Sequence, residues 1–228
     1  MKSKHKTRVT RQVIGKRRER SHVQQRGNKR RNKLLVSAEQ LLDSTPVEQL
    51  SFRQIADHAG VPEGSAYHFF ANKYDLLTAL AADMAERFGD VYKAPISDGA
   101  IHSWHELADL FVERAAEMYS NSPAATQIWL GGRMPPQVKL ADRIGDRAVS
   151  DVIHEIFDSY FVLPELPRRR DVFFFYMELA DVILSLSVIE HGEITPSMLE
   201  EAKRAGRGYL ATYLPSVMVP RGEKSEVQ

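Results

Sequence analysis

Residues 52–69 read FRQIADHAGVPEGSAYHF, and this stretch decides the fold. Ile55, Ala59, Val61 and Ala66 are apolar at helical spacing, Ala56 is small where two helices must touch, and Gly60 stands at the turn between them. A turn of about three or four residues between crossing helices needs one left-handed backbone position, which glycine adopts without a steric penalty. The stretch therefore reads as a helix-turn-helix. Its second helix presents Glu63, Gly64, Ser65, Tyr67 and His68 outward, where they can reach a DNA major groove. An ordinary hairpin in a helical bundle satisfies the same pattern, so the surrounding sequence has to decide.

On both sides the pattern stays helical. Ser51 followed by Gln54 is a capping box at the start of the first of these helices. Upstream, Leu34, Leu35, Ala38, Leu41 and Leu42 form one apolar stripe, stopped near 43–46. Downstream, Asn72 caps a longer helix carrying Leu76, Leu77, Leu80, Met84, Phe88 and Val91, and Trp104 to Met118 form another. Ser122 and Pro123 open a further helix, and Gly131, Gly132, Pro135 and Pro136 break the chain. Leu140 to Phe157 mark the next helix, and a last one opens at Thr195 and Pro196 and ends near Pro215. No stretch alternates with a period of two, so the fold class is all-α with about nine helices.

Residues 172–189 are apolar at 14 of 18 positions, which invites a transmembrane reading. Glu178 and Asp181 lie in the middle, each costing about 2.5–3.5 kcal/mol or more in lipid. The segment is instead read as a helix buried on nearly all sides by protein, with no membrane partner.

Charge is distributed unevenly. Residues 1–33 hold 14 Lys or Arg against one acid, Glu19, a net +13 that leaves the other 195 residues at −12. This places a polyanion contact at one end of the chain. The arm lacks the apolar run of a secretory signal, and the expected compartment is the cytoplasm. A solvated tail, or a translation start placed too far upstream, would also account for it. The absence of cysteine excludes disulfides, thiolate metal sites and thiol catalysis. His102 and His105 share a helical face without an acidic ligand at suitable spacing, and no phosphate-cradling glycine loop or nucleophile elbow occurs. No metal, cofactor or enzymatic role is expected.

The longer stretch GVPEGSAYHFFANKYDLL, residues 60–77, resembles the signature of TetR-family repressors: glycine, an apolar residue, a short helix with tyrosine, then phenylalanine, lysine and a leucine pair. The resemblance covers residues 31–80 at motif level and the chain's length and helix count overall. It implies a basic arm at 1–29, a helix-turn-helix domain at 30–75, a regulatory and dimerisation domain at 76–217 and a polar tail at 218–228. It also implies a homodimer on a palindromic double-stranded DNA operator, released by a small-molecule effector.

Carried over by position, Ser65 and Tyr67 stand where the family meets bases or nearby phosphates, followed by His68, with Lys73 on the backbone. Arg31, Ser51 and Arg53 are further phosphate candidates. Two positions depart from the family pattern. Pro62 replaces a serine cap, and Glu63 stands where Lys or Arg is common; a carboxylate there can accept from a cytosine amine or simply favour the helix N-terminus.

Helical stripes supply candidate effector contacts at Trp104, Phe111, Met118, Trp129, Met134, Phe157, Phe174 and Met177, with Glu178 and Asp181 as acids that need partners such as Arg133 or Arg143. The small residues Ala202, Ala205 and Gly206, with Leu199, Tyr209, Leu210 and Tyr213, are the candidate dimer face. The rival function is a non-specific nucleoid-type protein driven by the arm.

Overall fold

In the computed structural model, which describes residues 25–221 except 98, 133 and 135, helices follow one another along the described residues. Helix α1 spans 25–42, followed by α2 (Phe52–His58), α3 (Glu63–Ala66), α4 (Lys73–Tyr92) and α5 (Trp104–Ser120). Next come α6 (Pro123–Ala125), α7 (Pro136–Tyr160), α8 (Arg169–His191) and α9 (Pro196–Leu210). Among the described residues, β structure is confined to one antiparallel bridge between Phe161 and Pro220. Residues 25–29, assigned above to the arm, are already helical, and residues 1–24 lie outside the described residues.

The helix starts follow the local chemistry. The Ser51 N–H donates to Gln54 Oε1 at 2.8 Å while Ser51 Oγ accepts from the Gln54 N–H at 3.2 Å, closing the capping box. Asn72 accepts from the Tyr74 and Asp75 amides, and Ser122 and Thr195 cap the helices that open on Pro123 and Pro196. Leu34, Leu42, Ile55, Ala56 and Ala66 are fully buried between α1, α2 and α3, together with Leu76, Leu77 and Leu80 from the first half of α4. The second half of α4, from Met84 to Tyr92, packs in the core of the larger helical body. One helix therefore belongs to both units.

The reading of α8 as buried on nearly all sides is corrected. Val172, Phe173, Tyr176, Ala180 and Leu184 face inward, but Phe175, Leu179, Val182, Leu186 and Ile189 are exposed. Their spacing alternates four and three residues, so they form one apolar seam along the helix. Asp171–His191 is long and apolar enough to cross a membrane by length and composition. Its acids are engaged by protein, however: Arg143 donates to Glu178 at 2.9 Å, and the Tyr119 hydroxyl donates to Asp181 at 3.2 Å.

The assignment of α9 to a dimer face is also corrected in part. Ala202, Gly206 and Leu210 are buried inside their own subunit, because α9 packs along α8 and α5. A Cβ on Gly206 would stand 2.7 Å from Tyr176 Cε2. The Tyr176 ring cannot retreat: it is buried, its hydroxyl donates to the Ala108 carbonyl, and burial pushes its pKa well above the usual value. Lys203 of α9 reaches Glu113 of α5 at 2.6 Å, and Arg207 pairs with Asp109. Burial pulls the Lys203 pKa down, but its hydrogen bonds to Glu113 and Glu200 outweigh this and leave it raised.

Gly206→Ala is predicted to destabilise the protein by about 1–3 kcal/mol, the cost of overpacking a filled core. Urea unfolding measures it; an unchanged midpoint would contradict this close α8–α9 approach.

Candidate functional site

The outward face of α3 is built by the turn before it. Gly60 has φ of +62°, a conformation that L side chains rarely adopt, and the Val61 N–H returns to the Ala56 carbonyl at 3.0 Å. Pro62 then caps α3 through its backbone conformation alone, at φ −52°, with no side-chain hydrogen bond. On the resulting surface Tyr67 is 52% exposed, its ring leaning on Phe52 at 4.7 Å between centroids. Gly64 and His68 are exposed, and Glu63 and Ser65 partly so, which places the expected recognition residues on one accessible face.

The flanking candidates divide. Arg53 is largely exposed and only loosely paired with Asp57 at 3.7 Å, an interaction weak enough to yield to a phosphate. Arg31 is half-buried with its guanidinium over the Phe70 ring at 5.3 Å. Ser51 uses its hydroxyl in the capping box. Lys73 donates to the Val47 carbonyl at 2.8 Å and so ties the start of α4 to the loop after α1; burial lowers its pKa, with the Glu48 carboxylate opposing.

A basic face was missed. Arg26, Lys29, Arg30 and Lys33 are exposed at i, i+3, i+4 and i+7 on α1. A Cβ added to Gly27 would lie 3.9 Å from Phe69, so this end of α1 passes beside the end of α3. The charges were visible in the sequence, but their helical periodicity was hidden by assigning residues up to 29 to an arm.

The helical body holds two adjoining cavities that share Tyr92, Met177 and Asp181. Both are narrow crevices: one is lined by Phe111, Val112, Ile153 and Tyr176, the other by Phe88, Met118, Tyr119, Trp129 and Asp146. Of the residues expected to contact an effector, Phe111, Met118, Trp129, Met177 and Asp181 line these crevices. Trp104 is not among them: its N–H donates to the Pro215 carbonyl at 2.8 Å and its ring stacks on His105. Phe157 is buried between Phe111 and Phe173, Phe174 lies under the Arg147 guanidinium, and Met134 is buried without lining either cavity. Glu178 is drawn to the surface by Arg143, the partner anticipated for it. Arg133 lies outside the described residues. The sequence reading missed Phe88, Tyr92, Tyr119 and Tyr176, because periodicity marks an inward face without saying what it faces.

Cavity and recognition unit are joined by the π-helical turn Thr126–Leu130, which follows α6. Trp129 lines the cavity; two residues earlier, Gln127 reaches into the small domain. Its Nε2 donates to the Leu42 and Thr45 carbonyls, and its Oε1 accepts from the Val47 N–H at 2.8 Å. At the other end, Ser185 of α8 donates to the Leu130 carbonyl. Arg87 of α4 adds a second strut to Glu39 of α1 at 2.9 Å.

These features define a helix-turn-helix DNA-binding unit carried on an all-helical body with narrow crevices between its helices. Residues 34–80 match the sequence model for bacterial regulatory proteins of the tetR family, and residues 102–214 match that for the tetracyclin repressor-like C-terminal domain. The chain belongs to the TetR family of transcriptional regulators. It is similar in fold to a TetR-family transcriptional regulator from Streptomyces coelicolor (24% identity, TM-score 0.64, covering 81% of this chain and 99% of that one). A TetR transcriptional regulator from Rhodococcus sp. RHA1 (20%, 0.60, 80% and 96%) is similar too. So is FadR of Bacillus halodurans, described as a fatty acid degradation regulator (17%, 0.58, 79% and 94%). No curated protein matches the chain.

Gln127→Glu keeps the acceptor for Val47 but removes the donor to two carbonyls. It is predicted to lower stability by about 1–3 kcal/mol and to weaken DNA binding. Thermal unfolding and a DNA titration read both effects, and retention of both would contradict the clamp.

Proposed function

We propose that the chain is a cytoplasmic repressor that binds a palindromic operator as a homodimer and is released by a small, largely apolar effector. The observation that carries this reading is the exposed α3 face of Gly64, Ser65, Tyr67 and His68 beside the basic face of α1. The first group supplies hydroxyl, imidazole and aromatic contacts for base edges and sugars; the second neutralises phosphates without regard to sequence. The basic residues among 1–24 add to that electrostatic contact.

Dimerisation is supported by the exposed apolar seam of α8, Phe175 to Ile189, continued by Tyr209 and Tyr213 of α9. Paired with a second copy across a two-fold axis, this seam completes a four-helix bundle and presents two α3 helices to successive major grooves. Release follows from the turn between cavity and clamp. An effector that displaces Trp129 acts on a segment in π-helical geometry, and Gln127 passes the displacement to the loop that positions α2 and α3. A preference of about 2.7 kcal/mol for the released state weakens operator binding about a hundredfold.

Ser65→Ala with Tyr67→Ala is predicted to abolish protection of a specific site while the protein stays folded, at a cost of about 1 kcal/mol from the lost Tyr67–Phe52 contact. Footprinting that still shows the same protected site would remove α3 from recognition. Val182→Glu with Leu186→Glu is predicted to convert the dimer to a folded monomer in solution scattering; a monomeric parent, or a dimeric variant, would contradict the α8 seam.

A further inference from the structure

We propose that Lys73 is a positioning residue of the recognition unit: it acts on DNA through the Val47 backbone, which it holds together with Gln127, and not by gripping a phosphate itself. The inference rests on the reading of the chain as a sequence-specific DNA-binding regulator and names what sets its recognition helix. Lys73 Nζ donates to the Val47 carbonyl at 2.8 Å, across 26 residues of sequence. Val47 precedes α2 and Lys73 opens α4, so this one bond closes the segment that holds both α2 and α3. The N–H of the same Val47 donates to Gln127 Oε1 at 2.8 Å. Entry and exit of the helix-turn-helix are thereby tied at one buried residue, and that residue is fixed to the helical body.

Local structure carries this constraint to α3. The Gln49 and Leu50 N–H groups donate to the Pro46 carbonyl at 2.9 and 3.2 Å, and Ser51 then closes the capping box that starts α2. The chain from Val47 to α2 is therefore one hydrogen-bonded turn with little freedom of its own. At the other end, Asn72 accepts from the Tyr74 and Asp75 amides, and Asp75 accepts from the Ala71 N–H at 2.9 Å, which fixes the backbone that carries Lys73. The ammonium is held by its surroundings as well: it lies 5.1 Å from the Tyr74 ring centre, and the Glu48 carboxylate attracts it. Burial holds its pKa below the usual lysine value despite Glu48, as befits an ammonium partly withdrawn from water. Cations for phosphate are supplied instead by Arg26, Lys29, Arg30 and Lys33, which are exposed on α1.

The test compares the full-length protein with Lys73→Met, Gln127→Ala and the double variant, each first shown to be folded by its thermal unfolding. Binding is titrated across a salt series on duplexes that the parent protein selects from a random pool, and on unrelated duplex of the same length. Lys73→Met is predicted to bind the selected duplexes about tenfold more weakly, the scale of one hydrogen bond to a charged group, and unrelated duplex as the parent does. Its slope of log affinity against log salt stays that of the parent, whereas loss of a phosphate contact lowers the slope by about 0.9. Gln127→Ala also weakens the selected duplexes, and the double variant binds no more weakly than the weaker single one, because both substitutions release the same residue. A slope lowered by about 0.9, equal weakening on both DNAs, or losses that multiply in the double variant would overturn the inference. Should Lys73→Met unfold, Lys73→Gln, which keeps an N–H donor without the charge, answers the same question through its slope. If the parent selects duplexes, each contrary result removes the role of Lys73 alone; if it prefers none over unrelated DNA, the regulator reading falls and this inference with it.

Discussion

The side-chain amide of Gln127 is the interaction on which the working of this molecule depends. It donates to the Leu42 and Thr45 carbonyls, at and just beyond the end of α1, and accepts from the Val47 N–H, so one residue of the body satisfies three backbone groups of the DNA-binding unit. Those groups lie where α1 has ended and α2 has not begun, which is where a helical protein leaves carbonyls without internal partners. Position and orientation of α2 and α3 thus follow from a turn outside their own domain. The same turn carries Trp129 at the cavity wall, and Ser185 fixes its far end to α8. Crevice, α8 and recognition unit meet within five residues, Thr126–Leu130.

The sharing of α4 between the two units complements this clamp. Leu76, Leu77 and Leu80 close the core of the small domain, whereas Tyr92 borders both cavities sixteen to twelve residues further along the same helix. A straight helix transmits a displacement at one end to the other with little loss, and its carboxyl end is pinned by Arg114, which donates to the Tyr92, Ala94 and Pro95 carbonyls. Two physical routes, a rigid helix and a hydrogen-bonded hook, therefore connect the aromatic cavity with α3. In the proposed release, the π-helical turn is the element with an alternative, since a return to α geometry would shift the register of Gln127 against Trp129.

Most of the fold was legible because its signals are local. Gly60 at the turn, Ser51 with Gln54, Asn72, Ser122 with Pro123 and Thr195 with Pro196 each act over four residues or fewer, and the structure uses all of them as the sequence implies. The face of α3 followed from the same logic. What periodicity could not resolve was the identity of the neighbour. Gly206 is small because Tyr176 of the same subunit lies against α9, and Ala202 is buried in that subunit too, whereas the exposed seam is on α8, which composition alone made look wholly buried. Trp104 and Trp129 sit on similar stripes, yet one anchors the segment after α9 and the other lines a cavity. Lys73 matched a phosphate-contact position by motif, while its ammonium holds the Val47 carbonyl 26 residues upstream, a contact no local pattern encodes.

The central claim is that two copies of the chain set their α3 helices at a spacing fitted to DNA. Because the sequence contains no cysteine, a single spin label at His58→Cys reports that spacing by pulsed dipolar spectroscopy without removing any native thiol. On DNA fragments selected for tight binding, the account predicts a narrow intersubunit distance distribution consistent with recognition helices about one helical turn, ~34 Å, apart, and a broader one on unrelated DNA. The absence of any intersubunit distance, or identical distributions on selected and unrelated DNA, would contradict it.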